Sequence, residues 1–324
     1  MADLTNLDPE LAAAVTMIPV VDFGDIAAAR EQFTEVTSSL SGRVDQTGVD
    51  LRILTAPGLD DDPDVTIRLA TPATAPAEPL PVVLWIHGGG FAIGTAESTD
   101  SFSFEIVREL GVAVASVEYR LAPETPFPGP LHDCYAALSY VHNNAAELGI
   151  DRTRIAVGGQ SAGGGLAAGT VLLARDRGEI PVVFQLLDIP ELDDRLQTTS
   201  ITTFTDTPLW NRPNAVLSWQ YYLGPDYAGP TQESVSIYAA PARATDLTGL
   251  PPAYVSTMEL DPLRDEGITY ALNLLRAGVS VELHSFPGTF HGSAFLASAE
   301  VSQRQTAELL RVLGKALRVN SPLS

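Results

Sequence analysis

Ser161 stands in the run Gly159-Gln-Ser161-Ala-Gly163, and its neighbours suit a nucleophile. The strand-like Arg154–Val157 precedes it and a run of small residues follows. A serine lifted off the end of a strand needs a sharp backbone bend that flanking side chains would obstruct, and glycines at 159 and 163 remove them. The same turn sets Ser161 at a helix N-terminus, where the dipole favours developing negative charge. The pattern alone is common by chance, and a glycine-rich turn with an idle serine would also produce it. A second run narrows the choice. Leu84-Trp-Ile-His87-Gly88-Gly89-Gly90-Phe91 follows an apolar strand-like segment, and consecutive glycines let a backbone turn its N–H groups into a cavity. Gly88, Gly89 and Gly90, with the N–H of Ala162, are the expected donors to an oxyanion. A phosphate-binding loop is excluded, because no Gly-Lys-Ser/Thr follows.

A serine nucleophile needs a base. Of the five histidines, His87 belongs to the glycine loop, His132 and His142 fall on a helical pattern, and His284 lies inside an alternating strand. His291 remains, in Phe286-Pro-Gly-Thr-Phe-His291-Gly292, on a loop just past a strand where active-site groups of parallel sheets gather. The orienting acid is expected at Asp261, which ends Ala253–Leu260 and opens Asp261-Pro-Leu-Arg-Asp265-Glu266. Asp before Pro is also a good helix cap, and the two roles are compatible. The order Ser161, Asp261, His291 is that of α/β-hydrolases, with Asp265 and then Glu259 as alternative acids. Such a triad performs acyl transfer through a covalent intermediate and needs neither metal nor organic cofactor.

The elements that must position these groups alternate along the chain. Strand signals fall at 51–55, 65–70, 81–86, 112–117, 154–157, 182–187, 253–257 and 279–286, with helical patterns near 99–110, 130–147, 162–177, 262–277 and 300–318. That alternation predicts an α/β fold, a mostly parallel eight-stranded sheet covered by helices on both faces. Residues 1–48 carry helical spacing (Leu11, Val15, Ile18, Ile26, Phe33, Val36) and are expected to form an N-terminal helical arm. Residues 189–250 have no clean strand, but hold Trp210, Trp219, Tyr221 and Tyr222, as an inserted helical cap would. The catalytic core is then 49–188 with 251–324.

Composition bounds the partners. The 324 residues carry a net charge of −21, and Lys315 is the only lysine. So acidic a surface repels nucleic acid and anionic membranes. The lone Cys134 allows no intrachain disulfide and sits on an apolar helical stretch. The N-terminus has neither basic nor apolar leader character, and a cytoplasmic location is the default expectation. The expected partner is a small ester, with a homodimer compatible with the reading.

His87-Gly-Gly-Gly-Phe, Tyr119-Arg-Leu-Ala-Pro-Glu124 with Phe127-Pro128 and Asp133, Gly159-Gln-Ser-Ala-Gly-Gly, Asp261-Pro-Leu-Arg-Asp-Glu-Gly and His291-Gly together resemble the hormone-sensitive-lipase-like esterases. The resemblance implies a carboxylesterase of the α/β-hydrolase fold with Gly89, Gly90 and Ala162 as oxyanion donors and a cap drawn from 1–48 and 189–250. The fuller wording, including Leu7-Asp-Pro-Glu-Leu-Ala and Val235-Ser-Ile-Tyr-Ala-Ala-Pro, is similar to bacterial members acting on acetyl esters of bulky alcohols. Phe91 and Trp210 are the candidate substrate contacts. Three positions depart from the family: Gln160 replaces an aspartate, Gly165 an asparagine and Ser293 a phenylalanine. An amidase or peptidase on the same triad, and a ligand-binding receptor on the same fold, are the rival readings.

Overall fold

The computed structural model describes residues 5–15, 18, 21–41, 44–74 and 77–319, the side chains of 36–41 excepted. The side chain of Val36 therefore lies outside the described residues, as do residues 1–4, 16, 17, 19, 20, 42 and 43 of the expected arm.

Strand β3 (Leu80–Ile86) sets the layering, because all seven of its residues are buried. Side chains alternate across a strand. Val82, Leu84 and Ile86 point into a core shared with Leu131 and Leu138 of helix 129–143 and Leu166 of helix 162–177. Val83 and Trp85 point into a second core with Phe104 and Val107 of helix 100–110 and Leu309 and Leu313 of helix 300–317. Burial on both faces is why this strand reads as a continuous apolar run and not as an alternating one.

Eight strands make one sheet: β1 (Val49–Ala56), β2 (Val65–Pro72), β3, β4 (Ala113–Glu118), β5 (Ile150–Gln160), β6 (Phe184–Asp188), β7 (Ala253–Leu260) and β8 (Val281–Phe290). Their order is β1-β2-β4-β3-β5-β6-β7-β8. Only β2 runs against the rest, pairing antiparallel with both β1 and β4. The helices are α1 (Pro9–Ala14), α2 (Ile26–Ser41), α3 (Asp100–Leu110), α4 (Gly129–Asn143), α5 (Ala145–Leu148), α6 (Ala162–Arg177), α7 (Thr199–Thr203), α8 (Arg212–Leu223), α9 (Arg264–Arg276) and α10 (Glu300–Leu317). The fold is α/β, as the alternation of periods required. Several boundaries differ from the sequence reading, among them the end of β8, which runs on to Phe290 and leaves His291 directly after the strand. Strand β5 starts at Ile150, four residues early, because Asp151, Arg152 and Thr153 are polar and lie where the strand has little cover. The helical pattern 130–147 is two helices, broken at Asn144, whose side chain bonds back to the Tyr140 carbonyl at 2.9 Å.

The two segments outside the regular alternation meet each other. Helix α1 is capped by Asp8, and Leu11 is buried with Met258, Leu260 and Phe290 at the carboxyl ends of β7 and β8. On α2, Arg30 donates to the carbonyls of Ala92 and Ala122, both at 2.8 Å, and pairs with Glu124. Between β6 and β7 the chain carries α7 and α8 and, among the described residues, no strand. Asn214 of α8 accepts from Phe23 N and donates to Val21 O, and the Tyr221 hydroxyl donates to Phe23 O at 2.7 Å.

Leu84→Ala should cost about 2–5 kcal/mol of unfolding free energy, since Leu84 is fully buried on a central strand. Ile53→Ala, on edge strand β1 and 57% exposed, should stay within about 0.5 kcal/mol. Denaturant midpoints measured on both variants check the layering, and equal losses would contradict it.

Candidate active site

Ser161 occupies the turn between β5 and α6 with φ 58° and ψ −122°. That left-handed conformation is costly for a residue with a side chain, about 1–3 kcal/mol, and persists only where the surroundings enforce it. Here they do. Ser161 N donates to Asp188 O at 2.8 Å, while Ser161 O accepts from Glu191 N at 3.0 Å and Gly165 N at 3.1 Å. A Cβ at Gly163 would collide with the carbonyls of Ile86 and His87, and one at Gly159 with that of Gly163. The glycines therefore permit close backbone approach as well as the bend.

The Ser161 hydroxyl lies 2.8 Å from His291 Nε2. His291 Nδ1 lies 2.7 Å from Asp261 Oδ2. A carboxylate only accepts, so Nδ1 carries the ring proton and Nε2 is left to accept from the serine. All three are buried, and Asp261 is 1% exposed. Its other oxygen accepts from Leu263 N at 2.8 Å, which fixes the turn into α9. The capping role is thus shifted: α9 begins at Arg264, and Asp261 closes a short turn ahead of it. Neither alternative acid reaches the histidine. Asp265 accepts from Ser200 N at 2.8 Å and pairs with Arg264, and Glu259 accepts from Gly288 N at 2.7 Å.

The glycine loop lies against the serine. A Cβ on Gly88 would stand 3.2 Å from the Ser161 Cβ. Gly89 and Gly90 adopt φ 118° and 53°. The Gly89 carbonyl turns inward to accept from Ala92 N and Ile93 N. Among the described residues, the N–H groups of Gly89, Gly90 and Ala162 donate to no protein acceptor. Gly90 O is held by the Ser218 hydroxyl at 3.1 Å. His87 stacks on Tyr119 with ring centroids 4.1 Å apart, and burial pushes its pKa down to about 4, so it stays neutral.

The aromatic residues divide. Trp210 sits 5.8 Å from the His291 ring and 5.2 Å, edge-on, from Phe23. Both also lie where a Cβ on Gly90 would be, 2.6 Å from that point, so they wall the glycine loop. Phe91 corrects the sequence reading. It is fully buried, stacked on Tyr222 at 4.0 Å and beside Trp219, because φ 58° turns it under the loop into the core. Trp219 and Tyr222 are likewise fully buried core.

Sequence reasoning missed two acids, one ending β6 and one just after it. Asp188 accepts from Gln160, Gln305 and Ser256. Glu191 is fully buried, and loss of hydration raises its pKa to about 8. Ser218, its neighbour, gives its proton to Gly90, so both Glu191 carboxyl oxygens lack a hydrogen-bond partner among the described residues. The available signal was an acid placed at the carboxyl end of a core strand. Glu282, His284 and Glu308 cluster on the surface within 4.8 Å, but Arg311 already pairs with both glutamates there. A cavity of about 760 Å³ lies at the other end of the sheet, against Asp151, Phe184 and Lys315, and touches none of the candidate groups.

Residues 83–295 match the family model described as alpha/beta hydrolase fold. The chain is 39% identical over 319 residues to Carboxylesterase NlhH of Mycobacterium tuberculosis, covering 95% of this chain and 97% of the relative. It is 34% identical over 257 residues to an arylesterase of Saccharolobus solfataricus, covering 76% and 78%. Among solved structures, one named Bacterial Heroin Esterase superposes with a TM-score of 0.96 at 68% identity, covering 97% of this chain and 99% of that one.

Asp261→Asn should fold, because an amide oxygen still accepts from Leu263 N, yet its NH₂ group would face Nδ1 and favour the wrong tautomer. The loss expected in kcat is about 10⁴, by analogy with a related triad. Asp265→Asn, aimed at Ser200, should stay within about tenfold of the parent on the same scale. Steady-state kinetics on the two variants decide between the acids, and equal losses would remove Asp261 from its place.

Proposed function

The chain belongs to the alpha/beta hydrolase family, in its hormone-sensitive-lipase-like branch, and from that premise we propose that it is a serine carboxylesterase hydrolysing short-chain acyl esters, acetyl above all, of bulky or aromatic alcohols. The observation that carries the reading is the continuous chain of hydrogen bonds Ser161–His291–Asp261 beside three N–H groups that donate to no acceptor among the described residues.

In this reading His291 Nε2 takes the proton of Ser161 as its oxygen attacks the ester carbonyl. The N–H groups of Gly89, Gly90 and Ala162 receive the oxyanion, each such donor contributing about 2.7–4 kcal/mol to the transition state. His291 then protonates the departing alcohol. Water attacks the acyl-enzyme by the same route and regenerates Ser161. Asp261 keeps Nδ1 protonated and stabilises the imidazolium. Gly88 serves the loop's shape, since its Cβ position abuts Ser161.

The arm 1–48 and the insertion 189–250 act as the cap over a core of 49–188 and 251–324. Their mutual hydrogen bonds, at Asn214 and Tyr221, support that division. Trp210 is the substrate contact, a flat apolar wall beside His291 suited to a ring-bearing alcohol. The names of two similar proteins, an arylesterase and Bacterial Heroin Esterase, support the same class. No helix of the described residues is long and apolar enough to cross a membrane.

Nitrophenyl esters from acetate to laurate test the reading through kcat/KM. Each methylene adds about 0.8 kcal/mol while there is room, and overpacking then costs about 1–3 kcal/mol. Acetate to butyrate should be hydrolysed well and laurate poorly. A maximum at laurate, or activation by an emulsion surface, would favour a lipase instead. Matched anilides should be cut far more slowly than the esters, and comparable rates would favour an amidase.

A further inference from the structure

Asp188, the last residue of β6, is 1% exposed. Its carboxylate accepts from three side chains on three elements: Ser256 Oγ of β7, Gln160 Nε2 of β5 at 2.9 Å and Gln305 Nε2 of α10 at 3.1 Å. Ser256 Oγ itself accepts from Ile189 N at 3.1 Å, so its proton is free for Asp188. Three donors converging on one carboxyl describe an ionised acid. Yet no arginine or lysine among the described residues pairs with it. Burial pushes its pKa up, the bonds from Ser256, Gln160 and Gln305 pull it back, and His291, whose Nε2 lies 2.8 Å from the Ser161 hydroxyl, adds a smaller pull. The same residue holds the nucleophile through its backbone, since Asp188 O accepts from Ser161 N at 2.8 Å.

We propose that Asp188 is a positioning residue for acyl transfer, a second buried carboxylate that acts through His291 to stabilise the imidazolium formed as Ser161 attacks. A buried charge without a counter-ion is expensive in the resting protein. When His291 takes the serine proton, a cation appears within its field and part of that cost is recovered, in the transition state and not before. Asp261 acts on the imidazolium by contact, and Asp188 acts by its field from the neighbouring strand. Gln160, the departure from the family's aspartate beside the nucleophile, fits this arrangement. Its amide donates to Asp188, so the negative charge sits one strand over, and an aspartate at 160 would bring two carboxylates together.

The other ionisable groups facing this pair are accounted for. Tyr254 of β7 has its pKa pushed well up by burial and stays neutral. Glu191 acts on Asp261 and titrates near 8, on the alkaline side. His87 titrates near 4. The acid limb of the rate profile is therefore the place to look. Removing a carboxylate near a histidine disfavours the imidazolium, so the limb must move to lower pH.

The test is the pH dependence of kcat/KM and kcat for nitrophenyl acetate, with the full chain, Asp188→Asn, and the double variant Asp188→Asn/Gln160→Asp. Asp188→Asn should move the acid-limb midpoint down by about half a unit or more, less than the 1–3 units of a charge in contact, and lower kcat about tenfold. The double variant returns a charge to the neighbouring position and should recover at least half of both effects. A fall in kcat with an unmoved midpoint would make Asp188 purely structural and overturn the proposal. So would unchanged kinetics, a double variant that folds but keeps the displaced midpoint, or failure of both variants to fold by thermal melting. The proposal rests on His291 as the base. A parent enzyme without an acid limb would sink that reading, whereas a limb present but unmoved sinks only the role of Asp188.

Discussion

The backbone of Ser161 is the constraint on which the site depends. A residue with a side chain is held at φ 58°, and nothing local to the sequence would keep it there. The hold comes from hydrogen bonds on both sides of the residue, to Asp188 O on one and from Glu191 N and Gly165 N on the other. Those bonds need the end of β6 and the start of α6 within hydrogen-bonding distance of the serine. That closeness in turn needs Gly163 packed directly on the carbonyls of β3 and of His87. The parallel pairing of β3, β5 and β6 is thus what turns a strained serine into a fixed one.

Once the serine is fixed, the partners follow from the strand order. Parallel strands deliver their carboxyl ends to one edge, so β3 leads into the glycine loop, β7 into Asp261 and β8 into His291. Burial then determines what each group can do. Desolvation keeps His87 neutral and raises Glu191, while Asp261 is committed to the His291 ring and the Leu263 amide. In so dry a setting electrostatic interactions are worth several times their value in water. The price of that setting is a set of buried polar atoms without hydrogen-bond partners among the described residues, including the Glu191 carboxyl oxygens and the Trp210 indole nitrogen.

The sequence made the chemistry more legible than its support. Ser161, His291 and Asp261 could be chosen because each lies at the carboxyl end of a strand-like run, and the eight runs themselves were visible as apolar segments. Phe91 could not be assigned from sequence. Its position beside the glycine loop suggests a substrate contact, and only its positive φ turns it toward Tyr222. Asp188 and Glu191 gave only a weak signal, their place at the carboxyl end of an apolar strand. The role of Asp188 comes from Gln160, Ser256 and Gln305, which are distant in the chain. The helical character of the inserted segment was readable, but the packing of α8 against Val21 and Phe23 was not, because it joins residues nearly 200 apart.

The account stands on Ser161 being the atom that becomes acylated. Titration with a nitrophenyl phosphonate, followed by mass analysis of the digested protein, measures this directly. The account predicts one equivalent of nitrophenol released per chain, the adduct on the peptide containing Ser161, and neither in Ser161→Ala. An adduct on another residue, or ester turnover retained in Ser161→Ala, would contradict it.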